Sequence, residues 1–278
     1  MGLGDDMLFL GEAEKIHKET GKKVFPVNYR RSAIFENVDF LTFDRNEEHV
    51  KVNVTNQPPT CLRDGEKVDY HIPYYVKEEV HTKNGMHFIW NEDYKPVPFK
   101  LKFSQEELRS RDRREKHMPA PWSEYIVVNP DVKNSFFKGN KNWGFDNWQK
   151  LTTKLHEAGH LVVRFKPSGA GYDEPMLKNC ANILEVPLRI ALAIKSKVKL
   201  GVTFDGLLSH VWAGAEVPCV RICGGFMSSK TLHYDNNLSL ALNNNPIGKC
   251  YPSQDIIEAN KKITVDMVYD ACMKQLNY

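Results

Sequence analysis

The sequence predicts an α/β protein built on a parallel sheet, and three observations carry that expectation. In the second half, short apolar runs alternate with helical patterns of about 10–15 residues, the signature of βαβ units. The apolar runs are β-branched and continuous rather than alternating, as strands covered on both faces require. Glycine or Asn-Pro marks the junctions between them.

Taken in order, "DDMLFLGEAEKIHKETG" (5–21) has helical spacing and closes at Gly21, and "KKVFPVN" follows as a strand. A short helix near "SAIFENV" and a strand at 49–54 come next. Residues 56–103, rich in Pro, Tyr and His, fit no periodic pattern. Ser104 and Glu107 stand at capping-box spacing and open a charged helix over 104–117. "MPAPW" (118–122) then reads as a linker, which divides the chain into domains 1–120 and 121–278.

Beyond it, "EYIVVNP" (124–130) is a strand and "FDNWQKLTTKLHEAG" a helix with Asp146 as its N-cap. "HLVVRF" is a strand, "PLRIALAIKSK" (187–197) a helix and "VKLGVT" (198–203) a strand. "GLLSHVWAGA" (206–215) is a helix, "VPCVRIC" (217–223) a strand and "TVDMVYDACMKQL" (264–276) a closing helix.

Within this pattern lies His156-Glu157-Ala158-Gly159-His160, textually the H-E-x-x-H of zinc hydrolases. That chemistry needs one continuous helix through both histidines, so that positions i and i+4 share a face. Gly159 sits where a helix C-cap belongs, and a strand pattern follows it. The stretch reads as a helix–glycine–strand hinge, with a zinc metallohydrolase as the alternative. No metal is expected.

The 278 residues are 41% hydrophobic and 26% charged, ordinary for a globular protein. No apolar run approaches the ~20 residues of a membrane span, and no charged-then-apolar leader opens the chain. Six cysteines form no C-x-x-C pair, so a reducing cytoplasm fits. A net charge of +3 is too mild to demand a nucleic-acid partner.

Four stretches have the residue types of a phosphate-binding site. "GLGDD" (2–6) leads straight into a helix, where glycines admit an anion and the dipole favours aspartate. A complete βαβ unit would place a strand ahead of this turn, and the sequence has none there. Lys138 and Lys141 in "KGNKNWGFDNW" follow a parallel strand, where ligands bind in open α/β sheets. "TFDGLLSH" (203–210) gives strand, Asp205-Gly206, then a helix bearing His210. An acidic strand end beside a glycine turn can hold ribose hydroxyls. "ICGGFMSS" (222–229) repeats that design with Gly224 and Gly225, followed by small donors suited to an anion.

Together "GLGD", "KNWGFDNWQKL" and "DGLLSHVWAGAEVPCVRICGGF" resemble glycosyltransferase family 9, the lipopolysaccharide heptosyltransferase-like enzymes. The resemblance implies a GT-B fold, two Rossmann-like domains facing across a cleft, with acceptor on the first and donor nucleotide on the second. It implies inverting, metal-independent transfer of a sugar from a nucleotide-diphosphate sugar, which is substrate rather than cofactor, to an acceptor hydroxyl. Asp5 is then the catalytic base and Lys141 a ligand of the donor phosphates. Asp205 lies near the ribose or sugar, Gly206 and Leu207 present backbone amides, and His210 matches the histidine of the family's helix. The chain departs from the family pattern at Gly206-Leu207 and at Thr231-Leu232. A saccharide is the expected acceptor. DNA carrying hydroxylated bases is the alternative, because Arg109, Arg111, Arg113 and Arg114 form a basic run with the aromatics Trp90, Tyr94 and Trp122 nearby in sequence. A catalytically idle nucleotide-sugar-binding module is a third reading, against which Asp5 and Lys141 both stand.

Overall fold

The computed structural model describes residues 2–27, 32–53, 67–83, 85–116, 124–132, 138–167, 175–193, 197–242, 248–249 and 253–277. The chain opens with helix α1 (Leu3–Thr20), ended by Gly21 in the left-handed conformation with its N–H donated to the His17 carbonyl. Met7, Leu8, Phe9 and Leu10 are consecutive and all buried, so this helix is enclosed on every side at its start. Strands β1 (Lys23–Pro26), β2 (His49–Asn53) and β3 (Tyr70–His71) form a small parallel sheet, with a 3-10 turn at Ala33–Phe35 between the first two.

Residues 67–103 hold what the sequence left unassigned. After β3, strands β4 (Val76–Thr82) and β5 (Gly85–Trp90) make an antiparallel hairpin. The extended segment that follows reaches α2 (Gln105–Lys116), whose capping box is formed as expected. Glu107 N–H donates to Ser104 Oγ at 3.2 Å, and the Ser104 N–H donates to the Glu107 carboxylate at 2.6 Å. The expected linker at 118–122 lies outside the described residues.

The second half forms β6 (Tyr125–Asn129), α3 (Lys138–Lys141), α4 (Phe145–Glu157), β7 (Val162–Pro167), β8 (Ala181–Val186) and α5 (Leu188–Ala193). It continues through β9 (Val198–Phe204), α6 (Leu207–Gly214), β10 (Cys219–Gly224), β11 (Asn237–Ala241), β12 (Gly248–Lys249), α7 (Gln254–Lys262) and α8 (Val265–Leu276). Six of these strands make one parallel sheet in the order β11-β10-β9-β6-β7-β8, while β12 extends the β4–β5 hairpin. The sheet starts in its middle at β6, winds outward to β8, then crosses back and winds the other way from β9. That is the doubly wound order of dinucleotide-binding folds, with its switch point between β6 and β9.

Both faces of the sheet are covered. Tyr125 and Val127 pack with α1, α5 and α6 residues, whereas Ile126 and Val128 pack with Trp148, Leu151, Val268 and Cys272 of α4 and α8. Successive residues of a strand point to opposite faces, so burial on both sides is what makes these runs continuously apolar. Helices α1 and α6 pack on each other and share one buried cluster with the small sheet.

The H-E-x-x-H stretch adopts the hinge. Helix α4 ends at Glu157, Gly159 has φ 83°, and the His160 N–H donates to the Leu155 carbonyl. The helix that zinc ligation would need stops between the two histidines. The His160 imidazole lies 3.2 Å from the Lys199 ammonium, and burial and that charge depress its pKa. Two expectations are corrected here: β7 opens at Val162 rather than at His160, and Gly144 rather than Asp146 caps α4. Among the described residues no helix is long and apolar enough to cross a membrane.

Candidate functional site

The carboxyl ends of β6 and β9 border the switch point, where open α/β sheets bind ligands because the flanking loops diverge. Strand β9 delivers Asp205 and Gly206, and α6 starts at the next residue, so its positive end lies at this crevice. From the β6 side, α3 brings Lys141. Its ammonium donates to Asp205 Oδ2 at 2.9 Å and to the Asp205 carbonyl at 3.2 Å. The same ammonium lies 5.4 Å from the centre of the Phe226 ring.

Asp205 is only 4% exposed, and a second cation stands behind it. The Arg221 guanidinium, on β10, is 3.5 Å from Asp205 Oδ1 and donates to the carbonyls of Leu232 and Thr231 and to Ser239 Oγ. Burial pushes the Asp205 carboxyl up, but the Lys141 and Arg221 charges outweigh it and hold it at about 2. The carboxylate is therefore ionised and engaged by protein cations. On this wall two cations, Lys141 and Arg221, stand against the one carboxylate of Asp205. Beside them, His210 is 3% exposed, its Nδ1 2.8 Å from the Tyr234 hydroxyl. Burial lowers its pKa to about 4 against the pull of Asp205, so the imidazole is neutral at pH 7.

Helix α1 arrives at this crevice from the other half. A Cβ built on Gly4 would sit 3.4 Å from the His210 ring and 3.6 Å from the Leu207 amide nitrogen, so the first turns of α1 and α6 are in close approach. Asp5 lies at that turn. Its Oδ2 accepts the Gly2 N–H at 2.6 Å. Its Oδ1 accepts the hydroxyls of Tyr74 at 2.8 Å and Tyr75 at 3.0 Å. Asp6, one residue on, is buried while Asp5 is partly exposed. Asp5, Lys141, Asp205, Gly206, Leu207 and His210, spread over about two hundred residues of chain, thus meet at one place.

Other expected residues are placed differently. Gly224 and Gly225 pack on α7: the Gly225 N–H is donated to Asn260 Oδ1 at 3.0 Å, and a Cβ on Gly224 would fall 1.8 Å from that oxygen. These glycines serve close packing. Trp90 is buried, its indole N–H donating to the Phe226 carbonyl and its ring stacked near Tyr75, so it offers no platform to an extruded base. Arg109, Arg113 and Arg114 are exposed on α2, and Arg111 pairs with Asp112 at 2.6 Å. No contact joins these arginines to Trp90 among the described residues. Tyr94 is buried against Glu12, and Trp122 lies outside the described residues. Lys138 opens α3. Sequence reasoning missed Tyr74 and Tyr75, whose one local signal is their adjacency ahead of β4, and it missed Arg221, hidden in an apolar strand.

No protein-family model and no curated protein matches this sequence. Among solved structures, the family 9 glycosyl transferase from Veillonella parvula superimposes on the whole chain, covering 100% of it and 95% of that chain, with a TM-score of 0.69 at 12% identity. The E. coli ADP-heptose lipopolysaccharide heptosyltransferase II covers 64% of the chain at 19% identity and a TM-score of 0.48. The chain spans about half the length of that protein, 53%. The fold is therefore of GT-B type, as the resemblance implied. Among the described residues the first half has a three-stranded parallel sheet and the second a six-stranded one.

Proposed function

We propose that this protein is a glycosyltransferase that moves a sugar from a nucleotide-diphosphate sugar to the hydroxyl of a saccharide acceptor. Residues 121–278 carry the donor and residues 1–120 the acceptor side. The observation that carries the reading is the meeting of the Asp5 carboxylate with Lys141 and the α6 N-terminus at the switch point. A carboxylate on one wall and a cationic anion site on the other is the layout a base-assisted displacement at a sugar diphosphate requires.

In that displacement the acceptor oxygen attacks the anomeric carbon as the bond from that carbon to the diphosphate oxygen breaks, inverting the centre. The acceptor proton passes to Asp5, help typically worth ~10²–10⁴-fold. The bonding electrons leave with the diphosphate, whose growing charge meets the Lys141 ammonium and the first amides of α6. Lys141 supplies the positive charge at the leaving group, so no metal is assigned a role. Asp205, itself engaged by Arg221, holds Lys141 at the crevice before the donor arrives, which lowers the reorganisation needed in the reaction.

The reading is tested by nucleoside-diphosphate release from a panel of ADP-, GDP- and UDP-sugars mixed with oligosaccharide acceptors. Asp5→Asn should abolish release, because the carboxylate acts only in the transition state. Chelation should leave the wild-type rate unchanged. Near-normal release by Asp5→Asn removes Asp5 as base, and a chelator-induced loss restored by a divalent ion removes the metal-independent mechanism.

A further inference from the structure

The Asp5 carboxylate is held by donors that no part of the expected pattern contains. An ionised carboxylate offers about four lone-pair sites. Both sites on Oδ1 are taken, by the Tyr74 and Tyr75 hydroxyls at 2.8 and 3.0 Å, and one on Oδ2 is taken by the Gly2 N–H. Among the described residues a single lone pair is left open, on Oδ2.

The tyrosines are themselves fixed. The Asn91 N–H donates to the Tyr75 carbonyl at 2.7 Å, and its side-chain amide donates to the Tyr74 carbonyl at 3.1 Å, tying both backbones to the end of β5. The Tyr75 ring stacks on Trp90 with centroids 6.0 Å apart, and Trp90 is anchored by its indole N–H to the Phe226 carbonyl in the donor half. The two tyrosine rings lie 4.3 Å apart and their hydroxyl oxygens 3.2 Å apart, so neither ring can move away from Oδ1 without disturbing its neighbour, and the Tyr74 O–H has its shorter contact with Asp5. Burial, and then the Asp5 charge, push both phenols above their ordinary range, so both remain protonated donors throughout the range of activity.

We infer that Tyr74 and Tyr75 are a positioning pair for Asp5: their hydroxyls occupy Oδ1 so that the acceptor proton is delivered to the one open lone pair of Oδ2. The inference rests on Asp5 being the base. In the step itself the acceptor O–H bond breaks, its proton joins Oδ2, and its electron pair forms the new bond to the anomeric carbon. The two O–H donors fix the plane of the carboxyl group, the geometric condition for proton transfer within hydrogen-bond reach.

The test replaces the hydroxyls and keeps the rings, with Tyr74→Phe, Tyr75→Phe and the double variant. The variants are compared with wild type and Asp5→Asn in the release assay and by thermal denaturation. Each single variant lowers kcat about tenfold and the double lowers it further, while donor KM stays within about twofold, since the two hydroxyls bond Asp5 rather than Lys141. A double variant that only melts earlier, with kcat unchanged, overturns the inference, as does one whose donor KM rises in step with its loss of kcat. An active Asp5→Asn would remove the base reading and with it the catalytic part of this inference. An inactive Asp5→Asn beside wild-type kcat in the double variant would remove the positioning pair alone.

Discussion

Asp205 and His210 sit side by side, and burial acts on the two in opposite directions. It raises the carboxyl, where Lys141 and Arg221 reverse it to about 2, and it lowers the imidazole to about 4. For His210 the unfolded chain binds more protons between about 6.5 and 4, so stability is complete above that window and falls as pH drops through it. For Asp205 the contribution is present above the unfolded value near 3.8 and is lost as pH falls towards about 2. Denaturant titrations from pH 7 to 3 should therefore show a loss beginning near 6.5, and His210→Gln should flatten its upper part. A variant with the same slope as wild type between pH 6.5 and 4 would mean that the imidazole titrates normally. Residues of this kind are hard to see in sequence. Asp205 announces itself by its glycine turn, but Arg221 stands in "VPCVRIC", where a single cation looks like an edge or surface residue until its carbonyl partners are known. The tyrosine pair is similarly hidden, because its partner Asp5 is about seventy residues away.

Elements were legible in proportion to their burial. Strands β6, β9 and β10 lie inside the sheet, are covered on both faces and read as unbroken apolar runs. The two strands of the sheet that the pattern did not reveal, β8 and β11, are its edges, and "NLSLA" mixes polar residues into β11 accordingly. The Gly224-Gly225 turn looks like an anion loop in sequence because nothing local to it marks α7 as its packing partner. Helices α1 and α6 are set by a close approach of a kind that the glycine count alone does not disclose. Both touch the extended segment after β5: a Cβ on Gly11 would fall 2.0 Å from the Val97 carbonyl oxygen, and one on Gly214 1.8 Å from that of Phe99. Alanine improves intrinsic helix propensity by about 1 kcal/mol, but the obstructing atoms are backbone and cannot rotate away, so overpacking of about 1–3 kcal/mol or more should win. Gly11→Ala and Gly214→Ala should each lower the thermal midpoint, and Gly214→Ala should also weaken nucleotide binding by shifting the α6 N-terminus. A rise in midpoint for either variant would show that these contacts are looser than the structure has them.

At the scale of the molecule, the site exists because two winding patterns converge. The doubly wound sheet places Lys141, Asp205 and the α6 N-terminus at one switch point, and α1 carries Asp5 to it from the opposite end of the chain. On the proposed function the two walls have different tasks, and calorimetry with ADP, GDP, UDP and CDP separates them. At least one of these diphosphates should bind the wild-type protein. Lys141→Met should weaken that binding by about 1.5–3 kcal/mol, the range for a charge-assisted hydrogen bond, while Asp5→Asn should leave it within about twofold. If none of the four binds, or if Asp5→Asn costs as much affinity as Lys141→Met, then the crevice is not a donor site facing a separate base.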